Sequence, residues 1–469
     1  MAGDELRHFC ALAGVAGHPE AAYLTYLGLY SLQHRGQEAA GICSADGETT
    51  HLYKALGLVN DVFRPERIAG LAGHLAIGHT RYSTTGSPHT ANTQPIRSTS
   101  RSGSLALAHN GNLTNTPSLR AALEEEGAIF QTTMDTELIL HLVARSRAPH
   151  LEARIIEALE QVQGAWCLLF VTENALIAAR DPLGIRPLCL GRLGSSWLVA
   201  SETCAFDIVG GRFERDVEPG EMIVIRDGEL CSHRLPAAPE THPCIFEFVY
   251  FSRPDSRIYG EKVDKVRRGL GRNLAREHPA EADIVIAVPD SSNTAALGYA
   301  RESGLPFELG LIRNHYVGRT FIQPGPEQRD HDVRVKFNPV GGVLDGKRVV
   351  VVDDSIVRGT TSRKLLRLIR AAGAREVHMR VTCPPVAWPC FYGVDIPTRS
   401  ELIGARLSIE EIRKHIGADS LGYLSLEGML AAVERPGPMC HACFSGSYPV
   451  EPEPELGKDA LEGNRGCPP

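Results

Sequence analysis

The chain has no apolar run near the roughly 20 residues that a membrane-spanning helix needs, so a helical membrane protein is excluded. The opening segment, Met1 to Phe9, contains Asp4 and Glu5 and lacks an apolar stretch. It does not read as a secretory signal, and a cytoplasmic protein is the expectation. Positive charge is not in surplus either. A net charge of −7 argues against general nucleic-acid binding, and an anionic ligand then needs a local basic pocket or a metal ion. There is no internal repeat, and the Gly-x4-Gly-Lys pattern of a Walker loop is missing.

Cysteine is what the chain has in excess. Twelve are many for a reducing compartment, where disulfides are not expected. The thiols then read as small buried residues, a nucleophile or metal ligands. Cys43, Cys167, Cys189 and Cys204 sit among apolar or small neighbours and are expected in cores or strands. At 469 residues the chain is too long for one ordinary core, so two domains are expected.

Residues 10 to about 230 show short β-like runs, such as Leu75 to Gly78 and Trp166 to Thr172, parted by Gly-, Asn- and Asp-rich turns. Helices are expected over Ala21 to Gln33 and Asp135 to Arg145. The proline-bearing stretch Leu235 to Pro243 reads as a linker. Beyond it, buried strands at Ile284 to Val288 and Val349 to Val352 alternate with helices near Thr294 to Glu302 and Thr361 to Ala372. That rhythm predicts a parallel sheet covered on both faces. The end, Pro449 to Pro469, is rich in Pro and Glu and is expected to be disordered.

In the second half, strand Val349 to Val352 delivers Asp353 and Asp354, followed by Ser355, Arg358, Gly359, Thr360, Thr361 and Ser362 at a helix start. Backbone N–H groups in such a loop cradle a phosphate, helped by the helix dipole. The two carboxylates suit ribose hydroxyls and a Mg²⁺ shell. A solvated acidic edge is the plainer alternative, but the hydroxyls and glycine in this order weigh against it. The stretch resembles the phosphoribosyl pyrophosphate loop of type I phosphoribosyltransferases. By that resemblance the carboxylates engage ribose and Mg²⁺, and Arg358 through Ser362 hold the 5′-phosphate. Pro289-Asp290-Ser291-Ser292-Asn293 is expected at the same sheet edge. The segment carrying Arg313, Arg319, Arg329, Arg334 and Lys336 is either a solvated loop or a flap closing over pyrophosphate.

In the first half, Cys10 follows a nine-residue leader. Removal of that leader would give the thiol a neighbouring α-amine of pKa about 7.7–8.0, suited to act as a base. Arg81 can clamp an α-carboxylate with two hydrogen bonds. Asn110 and Gly111 supply donors for an oxyanion, and Asp135 offers a carboxylate for a substrate ammonium. Together with Ser31-Leu32-Gln33-His34-Arg35-Gly36-Gln37-Glu38, these fragments resemble an N-terminal-nucleophile (class II) glutamine amidotransferase domain.

Joined to the phosphoribosyltransferase half, the chain from about Cys10 to Pro449 resembles the glutamine phosphoribosylpyrophosphate amidotransferase family. The resemblance implies an αββα sandwich over residues 10–235 after a leader at 1–9. A parallel-sheet α/β domain would follow over 243–448, with a disordered tail at 449–469. Cys10 becomes the nucleophile, Asn110 and Gly111 the oxyanion hole, Arg81 and Asp135 the glutamine holders. Ser291, Asp353 and Asp354 fall at the Mg²⁺ positions, and Arg319 and Lys336 belong to the phosphoribosyl pyrophosphate site. Ala11 and Ala13 replace a usual Gly and aromatic residue. Since alanine cannot enter backbone conformations reserved for glycine, the change bears on leader processing and glutaminase rate.

Cys440-His441-Ala442-Cys443, with Cys390 and Cys244, offers four thiolates for Zn²⁺ or a [4Fe–4S] cluster, and spacing alone does not choose between them. The resemblance favours a structural [4Fe–4S] cluster, with Trp388 and Cys383 replacing a usual His and Ser. The implied reaction makes 5-phosphoribosylamine for purine synthesis from phosphoribosyl pyrophosphate, glutamine and water. Purine nucleotide inhibitors and a homo-oligomer, dimer or tetramer, are implied too. Two rivals remain: an ammonia-dependent phosphoribosyltransferase with an idle glutaminase half, and a regulatory protein that senses phosphoribosyl pyrophosphate without turnover.

Overall fold

A computed structural model describes residues 10–81, 90–100, 103–314 and 336–453. The leader, Arg319, Arg329, Arg334 and residues 454–469 lie outside the described residues.

The first half is built from two antiparallel sheets. One runs in the order Arg212–Asp216, Cys189–Leu193, Ser196–Ala200, Ala11–Ala16, Leu75–Arg81, Ala39–Ala45, Thr50–Leu56. The other runs Glu229–Arg234, Glu221–Arg226, Leu176–Arg180, Gly164–Val171, Gly103–Leu113, Ile96–Ser100. Side chains alternate across each strand, which sorts them into layers. Leu12 and Ala16 meet Leu169, Val171 and Ile223 between the sheets. Ala11, Ala13 and Val15 point the other way, into a core with Leu29 of helix Ala21–Ser31 and with Phe206. Leu138, Ile139 and Ile155 of two helices cover the outer face of the second sheet. Both faces of strand Ala11–Ala16 are therefore buried, which is why it is apolar throughout. The αββα sandwich is as expected.

The second half centres on four parallel strands in the order Ile284–Ala287, Arg348–Asp353, Glu376–Val381, Ser420–Tyr423. Leu365, Leu366 and Ile369 of helix Thr360–Ala371 are buried against it. On another flank, helices Val263–Glu277 and Asn293–Ser303 touch backbone to backbone. A Cβ on Gly271 would lie 1.9 Å from the Ala295 carbonyl oxygen, and one on Gly298 would lie 2.2 Å from that of Arg268. No helix among the described residues is long and apolar enough to cross a membrane.

Two expectations need correction. Ala11 does not stand in a conformation reserved for glycine, because Asp227 and Tyr259 are the non-glycine residues with positive φ among those described. It is the first residue of an extended strand, paired with Thr80. The tail is packed where it begins. Tyr392 Oη donates to the Val450 carbonyl at 2.6 Å, and Glu453 N–H donates to the Thr114 carbonyl at 3.2 Å. Composition hid this because two hydrogen-bonded residues suffice to hold a polar segment that has little apolar surface to bury.

The helix contact at Gly271 makes a direct prediction. Gly271→Ala should lower unfolding stability by roughly 3 kcal/mol, the upper end for overpacking. Gly342→Ala, where a Cβ meets nothing within 4 Å, should change it by less than about 0.5 kcal/mol. Urea midpoints measure both.

Candidate active sites

Cys10 is buried immediately before strand Ala11–Ala16. Its carbonyl accepts a hydrogen bond from Arg35 Nε at 3.3 Å. Ser201 Oγ accepts from Leu12 N–H at 3.0 Å and from Asn110 Nδ2 at 3.4 Å, tying the Asn110 amide to the cysteine's strand. Gly111 has φ +150°, and a Cβ there would lie 2.0 Å from the Ala165 carbonyl oxygen, so no larger residue fits. Gly36 is required for a different reason: a Cβ would lie 2.9 Å from Arg81 N. The pairing of Ala11 with Thr80 sets the backbones of Cys10 and buried Arg81 side by side.

Asp135 is buried ahead of helix Thr136–Arg145. Its carboxylate accepts from Leu113 N–H at 3.0 Å and Thr136 Oγ1 at 3.2 Å, and lies 3.4 Å from His109 Nδ1. Burial opposes ionisation of Asp135, yet the His109 charge and these hydrogen bonds hold it below the usual carboxylate range. Five of the residues singled out from the sequence (Cys10, Arg81, Asn110, Gly111 and Asp135) thus share one sandwich.

The second centre forms where parallel strands end together. Ala287 is in register with Val352, which places Ser291 and Ser292 beside Asp353 and Asp354. Ser291 Oγ donates to Asp354 Oδ2 at 2.5 Å, and Ser355 Oγ donates to Asp354 Oδ1 at 2.7 Å. Burial pushes the Asp354 carboxyl above the ordinary range, against the pull of its serine hydrogen bonds and Arg267. Gly359, at φ +80°, turns the chain into helix Thr360–Ala371, so N–H groups of Thr360 to Ser362 open that helix. Arg358 Nη2 contacts Glu401 Oε1 at 2.9 Å. The ends of the expected flap, Leu311–Arg313 and Phe337–Pro339, pair as antiparallel strands beside Lys336.

Cys244, Cys390, Cys440 and Cys443 line one cavity together with Phe246, Tyr392 and Tyr448. Burial pushes all four thiols up, Cys244 to about 12, while the Arg186 charge works the other way at Cys244 and Cys390. Four buried thiols facing one space are the chemistry of a thiolate-held cationic group. Among the described residues no three His, Cys, Asp or Glu side chains converge on one point closely enough for a single ion. Cys43, Cys167, Cys189 and Cys204 are buried in the cores expected for them.

A group absent from the sequence reading joins these places. Arg35 reaches Glu202 at 2.5 Å and Glu247 at 2.6 Å, and Arg186 reaches Glu247 at 3.0 Å, all four side chains being almost wholly buried. Arg186 also donates twice to the Tyr392 carbonyl, at 2.9 and 2.8 Å. Arg267 donates to the carbonyls of Phe248 at 2.7 Å and Ser291 at 3.3 Å. No local pattern marks Glu202, Glu247 or Arg186, since their partners lie far away in sequence. Arg35, within its conspicuous motif, was the one available signal.

A Glutamine amidotransferase domain model matches residues 79–207, and a Phosphoribosyl transferase domain model matches residues 262–387. The Bacillus subtilis amidophosphoribosyltransferase is 50% identical over 452 residues, covering 95% of this chain and 95% of that protein. The Mycobacterium tuberculosis amidophosphoribosyltransferase is 50% identical over 472 residues, covering 97% and 89%. A solved structure of glutamine phosphoribosylpyrophosphate amidotransferase from Bacillus subtilis, complexed with ADP and GMP, is 49% identical. It superposes with a TM-score of 0.91, covering 96% of this chain and 100% of that one.

Beside this site, His79 generates a pH prediction. It is fully buried, with Nε2 3.1 Å from the His109 carbonyl oxygen. Burial, then the Arg81 charge, push its pKa from 6.5 down to about 3. Below pH 6.5 the unfolded chain takes up a proton that the folded chain refuses, so stability falls as pH drops from 6.5 towards 3. The contribution reaches about 1.4 kcal/mol per pH unit. Urea unfolding of His79→Gln over that range should show a shallower slope than the parent; equal slopes would count against the assignment.

Proposed function

The chain belongs to the amidophosphoribosyltransferases, enzymes of the glutamine-dependent first step of purine biosynthesis, and from that premise we propose how its own residues divide the work. The Cys10 thiolate attacks the amide carbon of glutamine. The oxyanion so formed takes hydrogen bonds from Asn110 Nδ2–H and Gly111 N–H, donors worth several kcal/mol in such a setting. Ammonia leaves with a proton carried by the α-amine of Cys10 once the leader is removed, and water resolves the thioester to glutamate. Arg81 and Asp135 hold the α-carboxylate and α-ammonium. Ammonia then displaces pyrophosphate from C1 of the ribose, leaving 5-phosphoribosylamine.

The phosphoribosyl pyrophosphate is held, on this reading, by the N–H groups and hydroxyls of Ser355 and Gly359 to Ser362, with Arg358, and with Arg319 and Lys336 from the flap. Asp353, Asp354 and Ser291 would hold Mg²⁺, whose charge offsets the burial that Asp354 suffers. Purine nucleotides compete for the same phosphate cradle.

The observation that carries this reading is the contact between the halves. A Cβ on Gly393 would lie 2.8 Å from the Gly111 carbonyl carbon, and Asn112 Nδ2 donates to the Phe391 carbonyl at 3.1 Å. The strand bearing the oxyanion donors is thereby packed against the other half, which favours internal passage of ammonia. Ala11 lies in ordinary extended backbone, which weighs against an idle glutaminase on its account.

We take the group held at the cysteine cavity to be a [4Fe–4S] cluster. Its lining offers four buried thiols with no imidazole or carboxylate among them, a donor set that suits such a cluster or zinc, and the sequence resemblance favours the cluster. Such a cluster would supply a structural tie between the segments around Cys244, Cys390 and Cys440 to Cys443.

Two measurements test the proposal. Cys10→Ser should lose glutamine-dependent pyrophosphate release by at least 100-fold, an expectation for a removed nucleophile, while ammonium chloride still supports it. Persistence with glutamine, or no turnover with either donor, would overturn the assignment. Protein purified without oxygen should carry iron and sulfide in equal amounts, and Cys440→Ser should lower both together; bound zinc would point to the other metal.

A further inference from the structure

We propose that Glu247, which belongs to the phosphoribosyltransferase half, is a positioning residue for the Cys10 nucleophile of the other half. The inference rests on the reading of Cys10 given above. Arg35 Nε donates to the Cys10 carbonyl at 3.3 Å, so the guanidinium fixes the backbone that carries the thiol. A guanidinium is planar, and one contact does not set its tilt. Its other two nitrogens do: Nη1 meets Glu202 Oε1 at 2.5 Å and Nη2 meets Glu247 Oε1 at 2.6 Å. The first anchor is local to the sandwich, since Glu202 follows strand Ser196–Ala200. The second comes from a short helical turn, Glu247–Phe251, beyond the linker.

Glu247 is itself locked. Its Oε1 also takes Arg186 Nη1 at 3.0 Å, and its Oε2 takes Ser252 Oγ at 2.9 Å. The side chain is fully buried, so water cannot replace it. Two buried cations then face two buried carboxylates, and losing one carboxylate leaves a net positive charge beside Cys10. The glutaminase centre is therefore incomplete within its own sandwich. Asp354 takes hydrogen bonds from Ser291, Ser292 and Ser355. Arg267, which lies between the two places, meets the Glu247 turn at the Phe248 and Ser252 carbonyls.

The test uses the full-length protein and both nitrogen donors. Glu247→Gln should lower kcat with glutamine at least tenfold and leave KM for glutamine within twofold, because Arg81 and Asp135 are untouched. Turnover with ammonium chloride should stay within twofold. If Glu247 acts through Arg35, Arg35→Met combined with Glu247→Met should lose no more glutamine turnover than Arg35→Met alone. The double variant keeps the cluster neutral, with Arg186 and Glu202 remaining, and so tests the idea even if Glu247→Gln fails to fold. Glutamine turnover within twofold of the parent, equal loss with both donors, or strictly multiplicative losses in the double variant would each overturn it. Cys10→Ser measured alongside separates failure of this inference from failure of the underlying assignment: glutamine use surviving there sinks the nucleophile, not the positioning residue.

Discussion

One buried cluster of charge, Arg35, Glu202, Arg186 and Glu247, joins the two halves behind Cys10. Burying such groups is expensive, and a well-packed apolar substitute would often be no less stable. What ion pairs offer instead is direction. Each guanidinium points several donors at fixed angles, so one carboxylate from the second half can orient a backbone carbonyl in the first. Burial disfavours the charged guanidinium of Arg35, but its two carboxylates more than reverse this and hold its pKa above the usual value. The arrangement is self-consistent only when every member is present.

The same cluster reaches the cysteine cavity. Arg186 grips the Tyr392 carbonyl, and Cys390 and Gly393 flank that residue. Gly393 in turn rests on Gly111. A segment holding one of the four thiols is thus the neighbour of Gly111. The tail adds a strap just beyond Tyr448, whose Oη donates to the Pro389 carbonyl at 2.7 Å: the Glu453 carboxylate accepts from Ser118 N–H at 3.1 Å. Residues up to Glu453 thereby touch the first half.

At the second centre the logic is that of a parallel sheet. Adjacent strands end at the same level, and whatever follows them is gathered at one edge. Asp353 and Asp354 meet Ser291 because of register, with no need for their sequences to be close.

Local pattern made much of this legible. The parallel strands read as apolar runs because both faces are covered, and the loop proposed to hold phosphate was marked by a carboxylate pair, a glycine and hydroxyls in fixed order. Strand ends and helix starts fell within one or two residues of their expected places at Arg348–Asp353 and Thr360–Ala371. The glycines at 36 and 111 stood inside recognisable motifs, although only coordinates reveal which backbone atoms demand them. That Ala11 stands in ordinary extended backbone was not legible, since residue type says what a position could not adopt but not what it is asked to adopt. Glu202, Glu247 and Arg186 were invisible for a plainer reason: a long-range ion pair leaves no periodicity or spacing behind. Sequence alone therefore determined the two folds, the chemical kinds of group at each centre and the thiols available to a cofactor, because those depend on short-range order. Tertiary structure decided that the four thiols share one cavity, that Gly111 leans on Gly393, and that a carboxylate of one half grips the arginine bonded to the Cys10 carbonyl of the other, because each needs residues far apart in sequence to meet at hydrogen-bonding or van der Waals distance.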